Sequence, residues 1–224
     1  MAHIAASPPI YDEDLIPIPE NPETGRNNNQ GFEALTISPD GKRLRNPRFI
    51  HEYVVTLPTY VNPTEEDPDK AKQVASQSEI HYLPTGDFLI LARDSGFGHA
   101  QPDSKSVCHQ VDIISKSWWT TDIKFEKYDK ADGSIASSEG ELKPGIQPMD
   151  HCPSIDFNIP SELGKFGLHN GGDQDKFLLN EKWESLALVP VDPKDRVAKG
   201  KKEYFLISFS DNDYITQDGE WTHP

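Results

Sequence analysis

An all-β, propeller-like fold of incomplete extent is the fold class this sequence predicts, and three observations predict it. First, short apolar runs separated by turn residues recur along the chain, with no sustained amphipathic helix between them. Second, the composition is turn-rich: 15 Gly and 19 Pro accompany only 35% hydrophobic residues. Third, one local pattern occurs three times, a glutamate at the mouth of an apolar run followed by a turn and a second run. Its copies begin at Glu33 in Gly31-Phe32-Glu33-Ala34-Leu35-Thr36-Ile37, at Glu79 in Ser78-Glu79-Ile80-His81-Tyr82-Leu83, and at Glu184 in Trp183-Glu184-Ser185-Leu186-Ala187-Leu188-Val189. Glu33 and Glu79 stand 46 positions apart, and Glu79 and Glu184 stand 105 apart, about twice a propeller blade of roughly 50 residues. The material amounts to about three to four blades, where closure needs at least about four.

The elements follow in order. Residues 1–30 carry Pro, Asn and acids without helical periodicity and read as an extended leader; residues 31–224 form the domain. The first copy ends in the turn Ser38-Pro39-Asp40-Gly41, and its second run is replaced by Arg45-Asn46-Pro47-Arg48. Phe49–Leu57 reads as a strand. Residues 62–77 read as a charged loop, with a helical turn at Asp69-Lys70-Ala71-Lys72 as the less favoured alternative. The second copy predicts two strands around Pro84-Thr85-Gly86, the latter being Phe88–Asp94. A Gly/Ser/His-bearing loop at 95–106 precedes a strand over Val107–Ser115. A further strand is expected over Trp118–Tyr128, a loop over 129–152, and a short alternating strand over Ile155–Ile159. Leu168–Asp173 is a loop. The third copy pairs its first run with Tyr204–Phe209.

Charge and motif content exclude several classes. Lys plus Arg number 22 against 37 Asp plus Glu, a net charge of −15 that argues against nucleic-acid binding. No apolar stretch reaches membrane-spanning length, and the N-terminus lacks a basic region followed by an apolar core, so no signal peptide or membrane partner is expected. Two cysteines, Cys108 and Cys152, are too few for a disulfide scaffold, and their bonding is open. No phosphate-binding P-loop and no Gly-x-Ser-x-Gly elbow occur. His151-Cys152 lacks the arginine of a cysteine phosphatase, because Asn158 stands at its place. Asp173-Gln174-Asp175 and Asp211-Asn212-Asp213 open like calcium loops but lack the sixth-position glycine.

The stretches NNNQGFEALTISPDGK, KQVASQSEIHYLPTGDFLILARDSGFGH, GLHNGGDQDKFLLNEKWESLALVPVD and EYFLISFSDNDYITQDG, in this order, resemble the phytase-like β-propeller family, also called the esterase-like activity of phytase family. The resemblance covers most of residues 27–219 and lies in the later part of that family's domain. The chain departs from it by lacking the opening blades and secretion signal, by a segment missing between Leu44 and Pro47, and by a short end. The family is commonly secreted, which leaves the compartment of this chain open.

The resemblance implies hydrolysis of phosphate or other esters of small molecules. In a propeller, acids at the mouths of successive inner strands converge on one end of the channel. Glu33, Glu79 and Glu184 would form such a ring, with Asp94, Asp211 and Asp213 at neighbouring strand ends. Clustered carboxylates call for a cation, and hard oxygens in a loose ring suit Ca²⁺. Arg93 is placed to hold a phosphate or carboxylate, and His99 and His169 stand in loops as candidate general acids. The competing structural reading has the acids bond backbone N–H groups and Arg93 pair with Asp94 or Glu79. Two rival functions belong to other classes: a non-catalytic propeller that presents loops to a partner, and an inactive truncated member that self-associates through exposed strand edges.

Overall fold

A computed structural model describes residue 36 and residues 51–128, 135–137, 140–180, 182–192 and 203–211. Within them the chain is all-β: eight strands in three antiparallel sheets, with two helical turns of four residues each. In chain order these are β1 (Thr59–Val61), α1 (Pro68–Ala71), β2 (Lys72–Val74), β3 (Ser76–Tyr82), β4 (Phe88–Arg93), β5 (His109–Ser115), β6 (Asp150–Asp156), α2 (Pro160–Leu163), β7 (Lys182–Pro190) and β8 (Tyr204–Asp211).

The centre is a four-stranded meander, β3-β4-β5-β6. Its first hairpin is the one the second copy predicts. Ile80–Tyr82 pairs with Phe88–Ile90, and Gly86 takes a positive φ of 97° in the turn, a conformation that favours glycine. The β4 strand is apolar over Phe88-Leu89-Ile90-Leu91-Ala92, up to its last residue Arg93, because both faces of the sheet are covered. Leu89 and Leu91 pack with Val111 and Leu186, joined by Trp183, Leu188 and Leu206 from the β7–β8 pair. Ile90, Ile114 and Met149 gather Tyr53, Val55 and Leu57 on the other face, and Tyr60 continues that cover onto Ala75, Ala92 and Cys108. Full burial of a side chain such as Leu91 stabilises by about 2–3 kcal/mol. Thr36 is the one described residue of the first copy, and its Oγ1 accepts from the Tyr82 N–H at 3.1 Å.

Several sequence expectations change. Trp118–Tyr128 is no strand: Ser117–Thr120 is a turn, Glu126–Tyr128 a 3₁₀ turn, and Thr121 and Ile123 donate to two different neighbours, Gln147 and Glu52, so no ladder forms. The expected 129–152 loop ends early, since β6 starts at Asp150. The strand expected over Ile155–Ile159 stops at Asp156, whose carboxylate accepts from the Asn158 N–H (2.8 Å) and turns the chain into α2. In the 62–77 stretch a helical turn does form, at Pro68–Ala71, where Asp67 caps the Asp69 N–H at 3.1 Å and Pro68 opens the turn, but Lys72 belongs to β2, a strand the expected loop did not include. Residues 51–57 carry no strand ladder, although the Glu52 and Val54 carbonyls accept from Ile123 and Met149. The 31–35 and 37–50 segments of the first copy lie outside the described residues.

Candidate functional site

The junction between the two larger sheets is built by a pair of β-bulges. In β3, Gln77 pairs with Ala92 and Glu79 with Leu91, which leaves Ser78 as the extra residue. In β7, Trp183 pairs with Ser210 and Ser185 with Phe209, which leaves Glu184 extra. A bulge re-aims its side chain, and these two converge on one guanidinium. Arg93 Nε donates to Ser78 Oγ (2.9 Å) and Arg93 Nη2 to Glu184 Oε1 (2.9 Å), while Nη1 donates to the Asp94 carbonyl (3.2 Å). By register, therefore, the position in β3 equivalent to Glu184 is Ser78, one residue before Glu79. The Glu79 carboxylate accepts the N–H of Ile80 at 2.8 Å.

Asp94 stands beside Arg93 but faces inward and is buried. Its carboxylate accepts from Ser106 Oγ (3.1 Å), the Val107 N–H and the Cys108 N–H (2.9 Å), and His109 Nε2 lies 3.6 Å away. It thereby closes the 95–107 loop onto the head of β5. Asp211 ends β8, exposed. Glu33 and Asp213, the remaining acids of the expected ring, lie outside the described residues. Among the described residues no group of three or more His, Cys, Asp or Glu side chains stands close enough to hold one ion.

The two histidine candidates have different surroundings. His169 Nε2 meets Asp175 Oδ1 at 2.9 Å, and Nδ1 meets the Gly171 carbonyl at 2.8 Å. The bond to Asp175 first, then the carbonyl, hold the His169 pKa above its ordinary value. Gly171 has a positive φ, and a Cβ there would stand 3.1 Å from the Lys105 side chain, so this tight loop needs glycine. His99 instead lines a cavity of about 290 Å³ at the end of the β7–β8 pair, where Trp183 and Ser210 also lie.

Sequence reasoning missed most of that cavity's polar wall: Lys176, Asn180, Ser208 and Ser210. A signal existed. Ser208 and Ser210 share a strand phase with the core residue Leu206, where an apolar residue is ordinary. Trp183 packs 4.4 Å from Phe157 and 5.7 Å from His109 between ring centroids. Trp118, in the turn where a strand was expected, is 88% exposed.

A second carboxylate–imidazole pair was also not anticipated: Asp112, fully buried on the central strand, meets His151 Nε2 at 2.6 Å and accepts from Gln110 Nε2 at 2.7 Å. Both cysteines are free thiols. Burial, reinforced by Asp94, Asp112 and Asp156, pushes the Cys108 thiol up to about 12, while Cys152 is exposed.

No family model and no solved structure matches this chain. An uncharacterized secreted protein of Arthroderma benhamiae is 61% identical over 247 aligned residues, a match that takes in 96% of the chain. The chain spans about half the length of that relative, 48%. Because the alignment is longer than the 224-residue chain, the relative carries residues inside the matched region that this chain lacks. No helix among the described residues is long and apolar enough to cross a membrane.

Proposed function

We propose that this chain supplies consecutive blades of a secreted phytase-like β-propeller, and that the ring it helps to build hydrolyses phosphate or other esters of small molecules. The observation that carries the reading is the Arg93 junction. Two inner strands, β3 and β7, bulge at matching places and are joined there by one cation, as successive blades at a channel mouth would be. The meander β3-β4-β5-β6 is one complete blade in this view, and β7–β8 is the inner half of the next. The secreted relative supports the compartment, and its longer aligned region agrees with a segment lost after Leu44.

In this reading Glu184, with Glu33 and Asp213, would be the acids to hold Ca²⁺, which would polarise the ester and activate water. Glu79 stands one register position away and accepts the Ile80 N–H, and Glu79, Glu184 and Asp211 do not gather at one point. Asp94 is left out, because its carboxylate already accepts from Ser106, Val107 and Cys108. Arg93, whose guanidinium stands between Ser78 and Glu184, would orient the substrate anion.

The experiment is a thermal melt with Ca²⁺ and then with EDTA, beside turnover of 4-nitrophenyl phosphate and 4-nitrophenyl acetate. A melt raised by Ca²⁺ and a turnover abolished by EDTA are expected. A cooperative melt with no turnover of either ester would favour the rival reading, a non-catalytic module.

A further inference from the structure

We propose that the cavity between the 97–103 loop, the 168–180 loop and the β7–β8 pair is a binding site for a small organic anion with a flat apolar body. The proposal stands apart from the hydrolase reading, since it asks for binding without turnover.

The chemistry of the wall carries it. Acids outnumber bases by 37 to 22 in the chain, yet among the described residues no carboxylate lines this cavity. Among the described residues its one formal charge is the ammonium of Lys176, and His99, Asn180, Ser208 and Ser210 supply further polar groups. The rest of the wall is apolar: Trp183 with Leu168, Leu178 and Leu179. A flat apolar wall with a few convergent donors is the usual make-up of a small-molecule site, and about 290 Å³ lies at the small end of the range.

Among the described residues no acid pairs with these donors, and the Lys176 ammonium lies over the Phe177 ring, 5.1 Å from its centroid. Asn180 Nδ2 donates to Ser210 Oγ at 2.8 Å, so the Ser210 hydroxyl proton is available to a ligand. Asp175, the acid next to Lys176, is bonded to His169 Nε2 and to the Phe177 N–H at 2.8 Å. The rim is also held in place without a ligand. Gln174 Nε2 donates to the Gly98 and Gln101 carbonyls and its Oε1 accepts from the Ala100 N–H, while the His99 N–H donates to the Leu179 carbonyl at 2.8 Å. Such preorganisation lowers the cost of ordering on binding.

Calorimetric titration of the full chain with benzoate, benzamide and benzylamine tests the proposal. Benzoate is expected to bind at least tenfold more tightly than the neutral amide or the amine. Lys176→Glu, at an exposed position, should leave the melt unchanged and weaken benzoate at least tenfold. Ser210→Ala should weaken it less. Benzoate that fails to bind, that binds no better than benzylamine, or that binds Lys176→Glu as well as the unaltered chain, overturns the proposal.

Discussion

The central meander and the β7–β8 pair differ in what covers them, and the difference organises the molecule. The meander is covered on both faces, by Tyr53–Tyr60 on one side and by β7–β8 on the other, and its β4 strand has Leu91 and Ala92 fully buried. Among the described residues, the β7–β8 pair is covered on one face only. Leu186, Leu188 and Leu206 pack against the meander, while Phe205, Ile207 and Phe209 face outward, 59%, 37% and 65% exposed. A two-stranded sheet is marginal by itself, so this pair draws its order from the meander and from Arg93.

That comparison gives its largest test at Leu91. Leu91→Ala opens a cavity shared by both sheets and should cost about 3–4 kcal/mol in chemical denaturation. If the sheets were independent, the loss would spare β7–β8, which hydrogen exchange of the β7 and β8 amides would detect. Asp94→Ala follows at about 3 kcal/mol, because it strands the buried Ser106 hydroxyl and Cys108 N–H and removes the partner of the Val107 N–H. A loss below about 1 kcal/mol there would mean that water replaces the carboxylate.

The hairpin around Gly86 and the strand at Val107–Ser115 were readable because turn residues bound runs of apolar ones. The Trp118–Tyr128 strand failed because apolar and aromatic content was taken for pairing, although no partner with matching alternation stands beside it. For β8 the sequence is ambiguous, since Phe205, Ile207 and Phe209 form the more apolar phase and yet face outward. Which phase packs is decided by Leu186 and Leu188 across the ladder, a tertiary fact. The meeting of Ser78, Arg93 and Glu184 was hidden for a similar reason: a bulge shifts register by one residue and leaves no compositional mark.

Smaller effects sharpen the picture at the joints. A double-mutant cycle on Arg93→Met and Glu184→Gln should return a coupling of about 1 kcal/mol, above the median for exposed pairs because Arg93 is mostly buried. A coupling of zero would remove Arg93 as the link between sheets. At the opposite face, His51 Nδ1 meets Asp122 Oδ2 at 2.6 Å where the covering segment begins. Desolvation alone would raise the Asp122 pKa, but the His51 ring and the Glu52 and Lys124 N–H groups bring it down to about 2. A depressed carboxyl contributes stability above its unfolded value near about 3.9, and that contribution is lost as pH falls toward 2. Asp122→Asn should flatten the acid limb between those values, and a limb of unchanged steepness would assign it to other groups.

The smallest stability effect is expected at Phe209, and it discriminates most sharply between the two sheets. Its ring lies on the uncovered face, opposite Ser185, so replacing it removes little buried area. Phe209→Ser should change the unfolding free energy by no more than about 0.5 kcal/mol. The mirror change on the covered phase, Leu206→Ala, should cost about 2 kcal/mol. The surface response should run the other way. Val189, Phe205 and Ile207 form with Phe209 a contiguous apolar stripe, so Phe209→Ser should reduce concentration-dependent association in sedimentation. A loss at Phe209 as large as that at Leu206 would mean that both faces of β7–β8 are covered in solution. The two sheets would then be alike, and the contrast drawn between them would fail.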